Sequence, residues 1–143
     1  MRRDLGDGYE LDDDRDRIDV DAVHAYLVDA YWSAGRSRET VERLVRDAAR
    51  VVAVYEPGGA IVAFGRVVSD LESMAWLGDV YVLPEHRGRG LGVAVVGEAV
   101  DHPEVAGCNF YLGTRDAHGL YERVGFRALE DGRTMARLKP IAP

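Results

Sequence analysis

With 143 residues, the chain is most simply one domain over residues 1–143, large enough to bury about two-thirds of the surface of its unfolded chain. A formal net charge of −7 argues against nucleic acid as a partner, because proteins bind the phosphate backbone mainly through lysine and arginine. The chain has one cysteine and no apolar run of about 18 residues, so we expect a cytoplasmic protein with no membrane partner, no internal disulfide and no cysteine-built metal site.

The first predicted elements lie in an acidic N-terminal region. Residues 1–17 are crowded with acids and arginines, which predicts a loosely ordered start with one short strand near residues 9–11. Asp19 is a suitable N-cap for a helix over residues 20–30, in which apolar side chains recur at helical spacing.

A second helix and a pair of strands follow. Ser37 predicts the N-cap of a short amphipathic helix over residues 38–48. Two runs rich in β-branched residues, 51–55 and 60–68, are separated by Pro-Gly-Gly at residues 57–59, which is a hairpin signal. We therefore expect these two strands to pair antiparallel.

The middle of the chain predicts a strand-helix-strand unit. Residues 76–83 form an apolar run typical of a strand. A helix is expected from the glycines that follow to about residue 100, because His-Pro at residues 102–103 would end it. Mostly aromatic or apolar residues at 109–112 alternate, which predicts a buried strand after that helix.

The last predicted elements are a helix and a hairpin. The helix covers about residues 117–124 and stops at Gly125. Residues 126–129 and 134–138 flank a Glu-Asp-Gly-Arg turn and predict a closing hairpin. Hairpins early and a strand-helix-strand unit later are typical of an α+β protein in which helices pack on a mixed sheet.

The most informative segment is Arg87-Gly-Arg-Gly-Leu-Gly92, which we call the glycine corner. It joins the predicted strand at 76–83 to the following helix. Glycines let the backbone turn sharply and approach a ligand, while N–H groups at the start of a helix point toward an anion. With two arginines added, the pattern predicts a phosphate-binding site; the alternative is a tight strand-helix connection without a ligand.

Spacing distinguishes this segment from two common phosphate motifs. A dinucleotide-binding fingerprint needs a third glycine where Val93 or Val95 stands, and an acid at the end of the next strand, where Leu-Gly-Thr stands instead. A P-loop needs Gly-Lys-Ser or Gly-Lys-Thr, and neither occurs in the chain. Dinucleotide-binding and P-loop proteins are therefore poor matches.

Residues 80–92 resemble the acetyl-CoA signature of the GCN5-related N-acetyltransferase (GNAT) family. That signature has arginine or glutamine, two further residues, glycine, one residue, and glycine or alanine. Arg87, Gly90 and Gly92 match it position for position. A second family feature, Leu-Tyr-x-x-x-Gly-Phe near the C-terminus, is matched at residues 120–126.

A narrower resemblance is to a small subgroup of uncharacterised bacterial members of this family. The shared segments are Tyr-Trp-x-x-Gly-Arg-Ser, at residues 31–37, and Arg-Asp-Ala-His-Gly-Leu-Tyr, at residues 115–121. The resemblance implies a mostly antiparallel central sheet of six to seven strands, a parallel strand-helix-strand unit at the acetyl-CoA site, and about four helices. It also implies an acyltransferase that uses acetyl-CoA as co-substrate and needs no metal.

The resemblance further implies where the acetyl donor lies. The pantetheine arm would follow residues 80–82, and backbone N–H groups of residues 88–93 would hold the pyrophosphate. The N–H of Val82 would polarise the thioester carbonyl. The implied donor-binding residues are Val80, Tyr81, Val82, Arg87, Gly88, Arg89, Gly90, Leu91, Gly92 and Val93.

The predicted catalytic groups are one acid and several candidate bases. Tyr121 is the candidate general acid for the departing thiolate; without the family match, a half-buried packing role would be the better interpretation. Asp79, Glu85 and His118 are candidate bases. The two carboxylates are alternatively solvated surface groups, His118 could instead pack or cap its helix, and a water chain could carry the proton.

Acceptor specificity is expected from the N-terminal half, because the donor occupies the glycine corner. Tyr31, Trp32, Arg36 and Ser37 form its densest polar and aromatic cluster. Aromatic rings can line a pocket and an arginine can bind a carboxylate, so an acid-bearing amine is one hypothesis. Alternatively, Tyr31 and Trp32 finish a helix, Ser37 caps the next one and Arg36 is solvated.

Two functional classes follow from these patterns. One is an N-acetyltransferase that acts on a small-molecule amine, or on a protein or peptide amine; the other is a non-catalytic acyl-CoA-binding module. Direct transfer in a ternary complex is favoured over an acetyl-cysteine, because Cys108 has no basic neighbour in sequence that would activate it. A homodimer remains open as an assembly state.

Overall fold

The computed structural model describes residues 1–138, which form a six-stranded mixed sheet. The strands are β1 (Arg2–Gly6), β2 (Tyr9–Asp12), β3 (Arg50–Tyr55), β4 (Ile61–Ser69), β5 (Met74–Val82) and β6 (Asn109–Tyr111). They lie side by side in chain order, and all neighbours pair antiparallel except β5 and β6, which are parallel. The predicted mixed sheet with one parallel strand-helix-strand unit is confirmed.

Four helices accompany the sheet: α1 (Val20–Leu27), α2 (Arg38–Asp47), α3 (Leu91–Asp101) and α4 (His118–Glu122). As predicted, Asp19 and Ser37 are the N-caps of α1 and α2, and their side chains accept from the N–H groups of Ala22 and Thr40. Within residues 1–138, none of the helices has the length and hydropathy that a membrane crossing needs.

Helices cover both faces of the sheet, and β3 is buried throughout for this reason. Val52 and Val54 belong to the apolar core that contains α3, whereas Val51 and Tyr55 belong to the core that contains α1 and α2. This alternation follows the two-residue period of a strand. The sheet is therefore the rigid middle layer on which the helices position the candidate site.

The N-terminal segment forms a hairpin, which corrects the prediction of a loosely ordered start. β2 confirms the short strand predicted near residues 9–11, and β1 pairs with it across a turn at residues 6–8, all of which have positive φ. Arg17 donates to both Glu10 and Asp12. A glycine-rich turn and charge pairing thus order a segment whose composition alone predicts little structure.

The predicted closing hairpin is absent from the described part of the chain, which is a second correction. Residues 126–138 contain no strand, and most of them are exposed. Phe126 does pack edge to face on Phe110 and Tyr121. Beyond it, no described residue pairs with the outer edge of β6, which is only three residues long.

Two predicted helices are shorter in the structure. α1 ends at Leu27 instead of residue 30, because Ser33 Oγ donates to the Leu27 carbonyl at 2.7 Å and the N–H of Gly35 donates to the Val28 carbonyl at 3.0 Å. These bonds satisfy helix-end carbonyls and turn the chain away. α4 stops two residues earlier than predicted, in a turn that leads to Gly125, whose φ is 94°.

Candidate active site

β5 separates from β6 partway along its length. The parallel pairing runs only from Met74 to Trp76, and β5 continues to Val82. The N–H of Leu83 donates to the Val62 carbonyl of the β4 side at 2.8 Å, so strand alternation turns the N–H of Val82 to the opposite side. Within residues 1–138 no strand lies opposite that N–H, and the two strands open into a cleft.

A β-bulge lies immediately before this bare edge. Between Phe64 and Arg66, β4 advances by two residues while its partners on β5 run over three, from Tyr81 back to Gly78. The bulged segment contains Asp79, whose φ of 55° lies in the left-handed region. A bulge increases the local twist and changes the direction of the strand. It therefore sets how the residues after Asp79 present their backbone to the cleft.

The glycine corner has the geometry of an anion site. Gly88 and Gly90 have φ values of 79° and 77°, in the left-handed region that residues other than glycine rarely adopt. Gly90 is the N-cap of α3, and the first helical hydrogen bond runs from the N–H of Ala94 to the Gly90 carbonyl at 3.1 Å. The N–H groups of residues 91–93 are consequently unbonded within the helix, at the positive end of its dipole.

These elements enclose a cavity of about 920 Å³, which we call the donor cleft. Its volume falls in the range of small-molecule sites. All of the donor-binding residues implied by the family resemblance line the cleft except Arg89. The guanidinium of Arg89 instead lies 5.7 Å from the centre of the Tyr9 ring.

A chain of polar contacts supports the turn that precedes the corner. Tyr9 Oη and His86 Nδ1 are 2.7 Å apart, and His86 Nε2 lies 3.3 Å from Glu56 Oε2. Arg87 Nε donates to the Val82 carbonyl at 3.0 Å. Because His86 also lines the donor cleft, these bonds tie one edge of the cleft to both the N-terminal hairpin and β5.

Replacing Gly90 with alanine should weaken acetyl-CoA binding about 5- to 30-fold, as measured by calorimetry. A Cβ at Gly90 would meet no atom within 4 Å, so the change adds no clash. The left-handed backbone costs a side chain roughly 1–2 kcal/mol, which the chain relieves by shifting the N–H groups of the corner.

Gly97→Ala is the matched control for this variant. Gly97 also lies in α3 and also faces open space, but its φ is not positive. This control should bind acetyl-CoA like the wild type, because alanine suits a helix interior better than glycine. Wild-type affinity in Gly90→Ala would show that the corner does not hold the donor.

A second cavity, of about 560 Å³, adjoins the donor cleft, and we call it the acceptor cavity. Tyr121, Val80, Tyr31 and Trp32 border both spaces. The Tyr121 side chain is 9% exposed, and burial raises the pKa of its phenol to about 12. The phenol is therefore fully protonated at neutral pH, between the two cavities.

A buried carboxylate forms the floor of the acceptor cavity. Asp79 is 6% exposed and accepts from Trp32 Nε1 at 2.9 Å, Arg36 Nη1 at 2.8 Å and Arg66 Nε at 2.6 Å. Burial alone would oppose ionisation, but Arg66 and then Arg36 outweigh it and hold the pKa of Asp79 below its usual range. We call these four residues the Asp79 cluster.

The predicted acceptor residues fall into two groups. Tyr31, Trp32 and Arg36 line the acceptor cavity, and Arg36 is paired with Asp79 rather than solvated. Ser37 lies outside both cavities, and its Oγ accepts from the Thr40 N–H at 3.2 Å as the N-cap of α2. Its capping role, the alternative from sequence, is the one that the structure supports.

The candidate bases are not equally placed. Glu85 and His118 are exposed and line neither cavity. Asp79 lines the acceptor cavity, but its oxygens already accept three hydrogen bonds from charged or aromatic donors. Its depressed pKa also makes it a poor proton acceptor, so this geometry favours a positioning role for Asp79.

Several site residues were missed from sequence. Trp76 and Arg66 line the acceptor cavity from β5 and β4, and Tyr26 lines the donor cleft while stacking on Tyr81 at 4.1 Å between ring centres. Arg115 lines both cavities and stacks on Tyr31. Of these residues, only Arg115 could have been found from the sequence, because it is the first residue of one of the segments shared with the bacterial subgroup.

Known structures share this fold over nearly the whole chain. A GNAT-family protein from Xanthomonas campestris pv. campestris is 36% identical, with 92% of this chain and 94% of that chain covered and a TM-score of 0.85. A GNAT-family acetyltransferase from Streptococcus pneumoniae is 20% identical, with 99% and 98% covered and a TM-score of 0.71. Glucosamine-6-phosphate N-acetyltransferase from Arabidopsis thaliana is 18% identical, with 94% and 99% covered and a TM-score of 0.66.

The 36% identity to the first of these proteins, together with the cleft and the glycine corner described above, identifies this chain as an acyltransferase. The model of the Acetyltransferase (GNAT) family matches residues 13–126, and the chain belongs to that family. Membership implies acetyl-CoA as the acetyl donor and an amine as the general class of acceptor.

Proposed function

We propose that the protein is a single-domain, cytoplasmic N-acetyltransferase that moves the acetyl group of acetyl-CoA to a small-molecule amine, by direct transfer in a ternary complex. One observation carries the proposal: Tyr121 borders both the donor cleft and the acceptor cavity. Two substrates bound in these spaces would therefore meet at a single protonated side chain.

The residues present suit acetyl-CoA. The unbonded N–H groups at the start of α3 would hold the pyrophosphate, and the positive φ values at Gly88 and Gly90 let the backbone approach it closely. The bare edge of β5 would pair with the amide groups of pantetheine, as an added strand does. The N–H of Val82 would then donate to the thioester oxygen as charge develops on it.

The transfer forms a bond between the amine nitrogen and the acetyl carbon and breaks the bond from that carbon to sulfur. Tyr121 would donate a hydrogen bond to sulfur as the bond breaks. A phenol of pKa about 12 does not transfer its proton completely to a thiolate whose conjugate acid has a pKa of about 8.5. The amine nitrogen releases one proton during the transfer, and sulfur finally takes up one proton. Water would carry the proton from the nitrogen to the sulfur, so the reaction balances.

A non-catalytic acyl-CoA-binding module is the second candidate, and acceptor-dependent release of CoA separates the two. The assay measures free thiol from acetyl-CoA across amines, amino acids and short peptides. An enzyme releases thiol in proportion to a particular acceptor, whereas a binding module releases none. The acceptor cavity of about 560 Å³ favours small molecules over a folded protein chain, so peptides should be poor acceptors.

Cys108→Ser should keep wild-type kcat and KM in the same assay. Cys108 lies just before β6 and contacts Ser69 Oγ at 3.7 Å, and it lines neither cavity. Direct transfer does not use it. A folded Cys108→Ser protein without activity would instead support an acetyl-cysteine route.

A further inference from the structure

The acceptor cavity combines aromatic walls with an excess of positive charge. Tyr31, Trp32 and Trp76 line it and are 47%, 39% and 44% exposed, so a large part of each residue is open to solvent. Rings of this kind bind flat apolar groups by stacking or edge contacts. The walls of the cavity therefore suit an aromatic body.

The charges in the cavity are unequal. Three arginines line it, Arg36, Arg66 and Arg115, against two carboxylates, Asp79 and Asp116. The first two arginines are already paired with Asp79. This pairing leaves Arg36 less able to bind a substrate carboxylate than its sequence context suggests.

Arg115 is the arginine that remains for a ligand. Within residues 1–138, no carboxylate lies within 4 Å of its guanidinium as an ion-pair partner. Its Cζ lies 3.8 Å from the centre of the Tyr31 ring, and its backbone N–H donates to Tyr31 Oη at 3.2 Å. Stacking on Tyr31 holds the guanidinium plane while its N–H groups stay available to bind a carboxylate.

We propose that the acceptor is an amine that carries a carboxylate and an aromatic body, the class of the aromatic amino acids, and that Arg115 binds the carboxylate. The proposal rests on the proposed N-acetyltransferase function and names the substrate class of that same site. The aromatic body lies against Tyr31 and Trp76, and the amine faces Tyr121. A polyamine is disfavoured, because Asp79, the single buried carboxylate of the cavity, is already paired with Arg36 and Arg66.

The test compares L-phenylalanine with L-phenylalaninamide, which lacks only the carboxylate, and with L-alanine and spermidine. Thiol release from acetyl-CoA gives kcat/KM for each. L-phenylalanine should be the best of the four. Arg115→Gln should lower kcat/KM for L-phenylalanine by about 10- to 100-fold and lower it much less for the amide, as expected when a hydrogen bond to a charged group is lost.

Arg127→Gln is the matched control, because Arg127 is exposed and lies outside both cavities. The substitution makes the same change in charge as Arg115→Gln. It should behave like the wild type. Equal or better turnover of the amide or of spermidine would overturn the proposal while leaving the N-acetyltransferase function intact. Weaker acetyl-CoA binding in Arg115→Gln, with acceptor preference unchanged, would also overturn it.

Binding can be measured without turnover, because both tryptophans of the chain line the acceptor cavity. Intrinsic fluorescence should therefore change on addition of L-phenylalanine to the complex with CoA, and the change should require Arg115. Carboxylate-dependent binding without thiol release would contradict the proposed function but not the ligand class. No fluorescence change and no turnover with L-phenylalanine would refute the ligand class.

Discussion

Tyr121→Phe should lower kcat about 100- to 1,000-fold and leave the KM for acetyl-CoA largely unchanged. Loss of one hydrogen-bond donor to charge that develops in the transition state has an effect of this size, and the substitution removes only the hydroxyl. The ring remains to pack against Phe126, whose centre lies 6.0 Å away, so the fold should persist. Steady-state kinetics with saturating acceptor and varied acetyl-CoA measure both constants.

Tyr111→Phe is the control, since Tyr111 is partly buried in the neighbouring β6 but lines neither cavity. Its kcat should match the wild type. Because burial raises the pKa of Tyr121 to about 12, wild-type activity should rise as the acceptor amine loses its proton and should not fall again below about pH 10. Undiminished kcat in Tyr121→Phe would show that the Tyr121 hydroxyl does not stabilise the departing thiolate.

Asp79→Asn should destabilise the protein by about 3–5 kcal/mol, a large part of the stability of an ordinary domain. The change leaves the mostly buried guanidinium groups of Arg36 and Arg66 without their anion. Asparagine tolerates the left-handed backbone of this position, so the variant tests charge rather than strain. Urea unfolding at neutral pH, followed by fluorescence, measures the free energy of unfolding.

Acid should reduce the difference between Asp79→Asn and the wild type. The folded-state pKa of Asp79 is lowered, so its charge stabilises the fold above about pH 4 and ceases to do so as the pH falls through the folded value. Asp116→Asn serves as control, because Asp116 is an exposed carboxylate of the same cavity and should change stability by less than about 0.5 kcal/mol. Equal urea midpoints for Asp79→Asn and wild type would contradict a structural role for the cluster.

Local patterns in the sequence predicted the strand and the helix that line the donor cleft. The apolar run of β5, the glycines of the corner and the start of α3 follow one another along the chain, so their spacing fixes their geometry. The N-caps Asp19 and Ser37 were predictable for the same reason, since a cap depends on residues three positions apart.

The acceptor side depends on contacts between distant segments, which spacing does not reveal. Asp79 adopts a positive φ within the bulge between β4 and β5, and its partner Trp32 is 47 positions away. In the sequence, Trp76 fits the alternating pattern of a strand. Only the folded structure shows that its side chain is left partly exposed. The wrong prediction of a C-terminal hairpin has the same origin, because strand-like composition does not create an edge to pair with.

The residues that line the acceptor cavity differ in how freely they can be substituted, and those of the Asp79 cluster are the least free. Trp32 and Arg36 connect the loop between α1 and α2 to the bulge that precedes the bare edge of β5, so replacing them should disturb both cavities at once. Tyr31 and Trp76 line the cavity and are not among the side chains that donate hydrogen bonds to Asp79. Changes of acceptor preference, in evolution or by engineering, should therefore accumulate at these two rings.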